Sequence, residues 1–125
     1  MSSFEVLFFR EDDGSVPTEE FLDGLPKLAK VKFWKLLGEL RESGNELRRP
    51  KCDFLEDGIF ELRARHIKTH YRLLYFFQGA QRVVVSHGCI KEWRVPPLEI
   101  ERAKVRRSKF QRDPVKHSYL PRWFV

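Results

Sequence analysis

Between Leu55 and Lys91 the chain reads LEDGIFELRARHIKTHYRLLYFFQGAQRVVVSHGCIK, and this stretch restricts the possible folds more than any other. Its β-branched and aromatic residues, punctuated by turn signals, predict three consecutive strands at about 59–65, 70–77 and 82–91. Asp57-Gly58 opens the first, a loop at 66–69 leads to the second, and Gln78-Gly79-Ala80-Gln81 turns into the third. A four-residue hairpin loop pairs Phe77 with Arg82 and therefore Arg72 with His87, while the 66–69 loop sets Arg65 opposite Arg72. Alternation along the strands then sorts side chains to two faces. One face receives Leu62, Ala64, Tyr71, Leu73, Tyr75, Phe77, Val84 and Ile90, which is a core. The other receives Glu61, Arg63, Arg65, Arg72, His87 and Lys91, with Leu74, Phe76, Val83 and Val85 between them.

The flanking segments supply the cover. Phe4–Phe9 reads as a strand closed by Glu11-Asp12-Asp13-Gly14. A short helix follows, with Ser15 or Thr18 as its cap, Pro17 near its start, and Phe21, Leu22 and Leu25 buried. Residues 27–43 form the clearest helix, because Ala29, Phe33, Leu36, Leu37 and Leu40 fall on one side at helical spacing. Leu28 and Val31 fall towards its polar side, to pack on the preceding helix or to meet a partner. Ser43-Gly44-Asn45 stops this helix, and Arg48-Arg49-Pro50-Lys51 is a connector. The helix is expected to cover the apolar face and leave the charged face open. Pro96-Pro97 begins a last helix to about 111, with Ile100, Ala103, Arg107 and Phe110 on one stripe and Arg102, Lys104, Arg106 and Lys109 around the remainder. Asp113-Pro114 ends it, and the tail KHSYLPRWFV carries enough aromatic residues to pack on the domain or a partner. The expected architecture is one α/β domain of the α+β type spanning residues 1–125: a small, mostly antiparallel sheet against N-terminal helices, with a basic C-terminal helix.

Charge is unevenly distributed along the chain. Residues 1–50 hold eight Lys and Arg against ten Asp and Glu, a net of −2, whereas residues 51–125 hold sixteen against eight, a net of +8. Such segregation suggests a face that binds a polyanion. Cys52 and Cys89 have no metal-ligand spacing and make no disulfide framework, so two reduced thiols in a cytoplasmic protein are expected. No segment reads as a signal peptide or membrane span, and no glycine-rich phosphate loop or metal cluster is apparent, so neither metal nor cofactor is expected.

Half-exposed antiparallel strands ordinarily turn polar residues to water, and taken singly Arg63, Arg65 and Arg72 read that way. As a set they are asymmetric in sign, with Glu61 the only acid among them, His66 and His70 at the edge and His87 in the middle. Arginine forks grip phosphate oxygens and lysine adds a point charge. Cutting RNA without a metal needs such cations around the phosphate, with a titratable group to move the 2′-hydroxyl proton. Arg72, Arg63, Lys91 and His87 supply those types. A hydrogen-bonding core histidine is the other reading of His87. Arg65, His66, Lys68, His70 and Arg94, together with Lys104, Arg106, Arg107 and Lys109 of the last helix, extend the surface for RNA.

Four motifs in order carry a resemblance over Leu55–Phe110: L-x-x-G-I-x-E-L-R, Y-R-L-L-Y-F-F, V-V-V-S-H-G-x-I-K and P-x-x-E-I-x-x-A-x-x-R. In these the chain resembles the RelE/ParE toxin superfamily, in its phage-derived, HigB-like branch. The resemblance implies a RelE-like α/β fold, ribosome-dependent cleavage of mRNA, and neutralisation by an antitoxin from the adjacent gene, often a helix-turn-helix protein. It places Arg72 on the scissile phosphate, Arg63 in the E-L-R strand, and Lys91 as the first basic residue after the last strand. Glu92 and Trp93 stand where the family has a second basic residue and a hydroxyl-bearing one, and Arg94 is the next cation. No tyrosine falls in the last helix, so the acid–base role passes to His87 by elimination. Two other activities remain open at this level: poisoning of DNA gyrase, as in the ParE branch, and non-enzymatic binding of nucleic acid or a partner by a basic module.

Overall fold

The computed structural model describes residues 3–122. In chain order it contains β1 (Glu5–Phe9), α1 (Pro17–Asp23), α2 (Lys27–Ser43), β2 (Cys52–Glu56), β3 (Ile59–His66), β4 (Thr69–Gln78), β5 (Arg82–Lys91), α3 (Pro97–Arg112), α4 (Pro114–His117) and β6 (Ser118–Tyr119). The strands form one sheet in the order β2-β3-β4-β5-β1-β6, antiparallel except where β1 runs parallel to β5. This is the expected mixed α+β fold of RelE-like type. No helix among the described residues is long and apolar enough to cross a membrane.

Local chemistry accounts for most boundaries. Glycine at the end of α2 takes the left-handed conformation, with Gly44 at φ 53°, and stops the helix where Ser43-Gly44-Asn45 predicts. α1 begins on Val16 and Pro17 with no side-chain cap. Neither expected cap is used: Ser15 turns back to Asp13, and buried Thr18 donates to the Val85 carbonyl at 3.3 Å. β2 is the strand that sequence reasoning missed. Its signal was Asp57-Gly58 between two alternating runs: both residues have positive φ (48° and 78°), the pattern of a two-residue hairpin turn.

Each face of the sheet has its own core. α1 and α2 cover one face, where Phe33, Leu37 and Leu40 pack on Leu62, Leu73, Tyr75, Val83 and Val85. α3 covers the other, where Ile100, Ala103 and Phe110 pack on Leu7, Phe9, Leu74, Phe76 and Val84. The second face is therefore not open, contrary to expectation. The cause lies in α3, whose apolar stripe needs a partner and finds Leu74, Phe76 and Val84 interspersed among the charges. Burying Phe110 beside Phe76, with ring centroids 6.3 Å apart, is worth about 1.5–3 kcal/mol.

Both expected hairpin registers are corrected. β3 and β4 set Arg63, not Arg65, opposite Arg72. Because the two residues lie two apart, the faces of β3 are unchanged. β5 differs more. Gln78 pairs with Arg82 and Tyr75 with Val85, yet Leu74 pairs with His87, which leaves Ser86 as the extra residue of a bulge. The hairpin loop has three residues, not four, which turns Val83 and Val85 to the helix pair and Val84 to the α3 side, and the bulge then returns His87, Cys89 and Lys91 to the α3 side. Arg72 consequently pairs with Cys89 and not with His87.

The tail follows α3 closely. His117 stacks on Phe9 at 5.0 Å, and Tyr119 donates to Glu19 at 2.6 Å, so residues 114–119 pack on β1 and α1 as the aromatic content predicts. Trp123, Phe124 and Val125 lie outside the described residues. Leu28 (63% exposed) and Val31 (56%) do not pack on α1; they remain at the surface of α2.

Candidate functional site

Cross-strand pairing of β3, β4 and β5 builds three rows on the α3 side of the sheet. They are Glu61–Leu74–His87, Arg63–Arg72–Cys89 and Arg65–His70–Lys91. Residues directly opposite one another project to the same face with Cβ atoms about 4.5–5.5 Å apart. α3 packs over Leu74 and Cys89. The third row is more open, with Arg65 exposed and His70 and Lys91 half-buried. At the tip of the β3–β4 hairpin, the Ile67 carbonyl accepts from Arg65 Nε at 3.0 Å and steadies that side chain.

The middle of the site is a buried ion cluster. Glu61 is 1% exposed, with Oε2 3.1 Å from Arg63 Nε and Oε1 3.2 Å from Arg72 Nε. Arg72 is itself 5% exposed, and its Nη1 donates to the Tyr71 carbonyl at 2.9 Å. Burial pulls the Arg72 pKa down and Glu61 opposes that pull; a guanidinium stays charged through such shifts. The charges are close but poorly aligned, since Glu61 Oε1, Arg63 Nε and Arg72 Nε each lack a hydrogen-bond partner. Polar atoms left in this state cost stability, a feature that is concentrated at functional sites.

The two histidines on this face have different environments. His70 sits between Arg65 and Lys91, one row from Arg63 and Arg72. Desolvation and then Arg72, Arg65, Lys91 and Arg63 hold its pKa below the ordinary histidine value, which favours the neutral imidazole. His87 is 5% exposed beneath α3. Its Nε2 lies 3.2 Å from Glu99 Oε1 and its Nδ1 2.7 Å from Ser86 Oγ. A carboxylate only accepts, so Nε2 carries the proton and Nδ1 accepts from the serine. Arg102 occupies the same Glu99 oxygen at 2.6 Å and offsets its charge. Burial, then Arg106 and Arg102, push His87 down to about 3. His87 is thereby tied into the α3 interface and is not brought beside Arg72.

This depressed value makes a measurable link to stability. Unfolded, His87 takes a proton below about 6.5; folded, it resists until about 3. Stability is therefore expected to fall as pH drops through that window, by up to about 1.4 kcal/mol per pH unit from this group. Urea unfolding midpoints at pH 7 and pH 5 check it, and His87→Gln should flatten the difference. Cys89 is likewise held inert: burial, then Glu99 and Glu61, push its thiol up to about 12.

The basic residues of α3 are less available than their number suggests. Lys104 pairs with Glu56 at 2.6 Å, Arg106 with Glu11 at 3.0 Å, Arg107 with Asp57 at 3.0 Å and Lys109 with Asp12 at 3.3 Å. Glu11 and Asp12 of the first fifty residues, together with Glu56 and Asp57, thus neutralise cations of α3, and the segregation along the chain is blunted in space. Uncommitted positive charge is left nearer the hairpin and the end of β5, where Lys68 and Arg94 are exposed; His66, also at the hairpin, is half-buried. Trp93, 90% exposed, lies beside Arg94. Sequence reasoning missed Lys32 and Lys35, which line a cleft of about 370 Å³ together with Lys51, Glu39, Arg63 and Arg65. Lys32 donates to the Arg65 carbonyl at 2.6 Å. On the helix they read as solvated positions, and only the docking of α2 beside β3 joins them to the site. Among the described residues, no three His, Cys, Asp or Glu side chains converge to hold a metal ion.

Residues 20–108 match the family model described as phage-derived protein Gp49-like (DUF891). No curated protein matches the chain.

Proposed function

The chain belongs to the phage-derived Gp49-like family, and from that premise we propose that it is the toxin of a type II toxin–antitoxin pair, a ribosome-dependent endoribonuclease that cuts mRNA. One observation carries the reading: Arg63, Arg65, Arg72, His70 and Lys91 occupy adjacent positions on one sheet face, with Glu61 in the next row bridging Arg63 and Arg72. Arg63, Arg65 and Lys91 meet the scissile phosphate from the solvent side. Arg72 adds its field from beneath, and charge that builds on the non-bridging oxygens is stabilised by cations already in place. The 2′-hydroxyl attacks phosphorus, the P–O5′ bond breaks, and a 2′,3′-cyclic phosphate and a 5′-hydroxyl result. His87, by fastening α3 to the sheet, keeps the neighbouring row rigid. The partners on this reading are the ribosome with its mRNA and an antitoxin encoded in the adjacent gene, of helix-turn-helix type.

Induction of the protein is expected to stop growth and to leave mRNAs cut at positions engaged by ribosomes, as mapped by primer extension. Arg63→Ala combined with Lys91→Ala should reduce cutting on purified ribosomes at least 100-fold, with thermal unfolding measured alongside because Arg63 also pairs with buried Glu61. Growth arrest with intact mRNA would sink the nuclease reading. The burial of Arg72 favours a second reading, in which the basic face binds nucleic acid without cutting it. Affinity that falls steeply with salt, with no new RNA ends, would identify that case.

A further inference from the structure

We propose that His70 is the general base of the site, taking the proton from the attacking 2′-hydroxyl; this rests on the nuclease reading above. The inference follows from placement. His70 is the histidine that shares a cross-strand row with two of the cations: Arg65 stands opposite it on β3 and Lys91 on β5. Arg63 and Arg72 lie in the next row of the same face, so a phosphate held by these cations lies within reach of the imidazole. Of the other two histidines of the strands, His66 pairs with Thr69 and lies on the opposite face of β3, and His87 has both ring nitrogens engaged under α3.

A general base must be unprotonated at the working pH and close to the proton it removes. The groups that face His70 are Arg63 and Arg65 from β3, Arg72 from its own strand, and Lys91 and the protonated Cys89 thiol from β5. With four cations about it, the neutral imidazole is favoured before RNA arrives. A bound phosphate brings negative charge into the cluster, so the imidazolium formed in the reaction is no longer opposed by uncompensated cations. The proton passes from the 2′-oxygen to a ring nitrogen, the 2′-O–P bond forms, the P–O5′ bond breaks, and water supplies the proton taken up by the leaving 5′-oxygen. The resulting imidazolium returns its proton to solvent.

Single-turnover cleavage of mRNA on purified ribosomes, measured across pH 5–8, tests the assignment. Wild-type protein should show a rate that climbs with pH and levels off above a histidine-like midpoint. His70→Gln should bind ribosomes as well as wild type, cut about 10²–10⁴-fold more slowly, and lose that rising limb. His70→Ala should regain part of its rate when imidazole is added. Circular dichroism and thermal unfolding establish that each variant is folded. A His70→Gln variant that cuts within threefold of wild type with the same pH profile overturns the proposal. So does one that loses ribosome binding and rate together while keeping the profile, which would make His70 an anion-binding residue only. If wild-type protein cuts no RNA on ribosomes at all, the nuclease reading fails and takes this assignment with it.

Discussion

Glu61→Ala is expected to lower folding stability by about 3–5 kcal/mol, because it leaves buried positive charge without its counter-ion. Arg72, 5% exposed, would lose the carboxylate 3.2 Å from its Nε, and Arg63 the one at 3.1 Å. Arg72→Ala should cost a similar amount, since Glu61 is then held in the interior by Arg63 alone. Replacing the pair with apolar residues of comparable size, Glu61→Leu with Arg72→Met, should recover most of the loss, because neither charge then needs burying. Urea unfolding of the four proteins measures these differences. Should Glu61→Ala stay within 1 kcal/mol of wild type, the cluster is better hydrated than its burial implies. The result also governs how activity is read: a silent Arg72→Ala protein reports on the site only if it is still folded.

The second large effect comes from Gly88→Ala. A Cβ at Gly88 would lie 2.1 Å from Cδ2 of Phe21, whose ring rests on the β5 backbone. That ring has little room to move, being set edge-on against Phe33 at 6.4 Å and Tyr71 at 6.3 Å. The substitution should force α1 away from the sheet and cost about 2–3 kcal/mol. Thermal unfolding checks it, and Phe21→Ala in the Gly88→Ala background should restore part of the stability by removing the clash. Additive losses in the double variant would mean that the strain lies elsewhere. Gly88 neighbours Cys89 in the row of Arg72, so the same substitution should disturb the cation face through its backbone.

Much of the architecture was legible in local sequence. α2 follows from helical spacing at Ala29, Phe33, Leu36, Leu37 and Leu40, and α3 from the Pro97 start and the stripe ending at Phe110. β5 has the expected ends, Arg82 and Lys91. These features depend on spacing, turn residues and backbone restrictions within a few positions of one another. The grouping of Arg63, Arg65 and Arg72 on one face was legible for the same reason: it needs alternation along β3 and β4, and no exact register.

What remained depended on contacts distant in sequence. The loop length after Gln78 and the bulge at Ser86 have no sequence mark, yet together they slide β5 by two residues, remove His87 from Arg72 and set Lys91 opposite His70. Thr18 and Ser15 looked like caps, but the buried Val85 carbonyl claimed one hydroxyl and Asp13 the other. The charge of α3 looked free until Glu11, Asp12, Glu56 and Asp57 came beside it. By itself, then, the sequence determined the helices, the central strands and the chemical character of one sheet face, because each rests on short-range periodicity. Only the tertiary structure decided which of those charges are neutralised, which are buried and which histidine stands among the cations. Coulomb interaction and desolvation act through space, and no spacing along the chain encodes them.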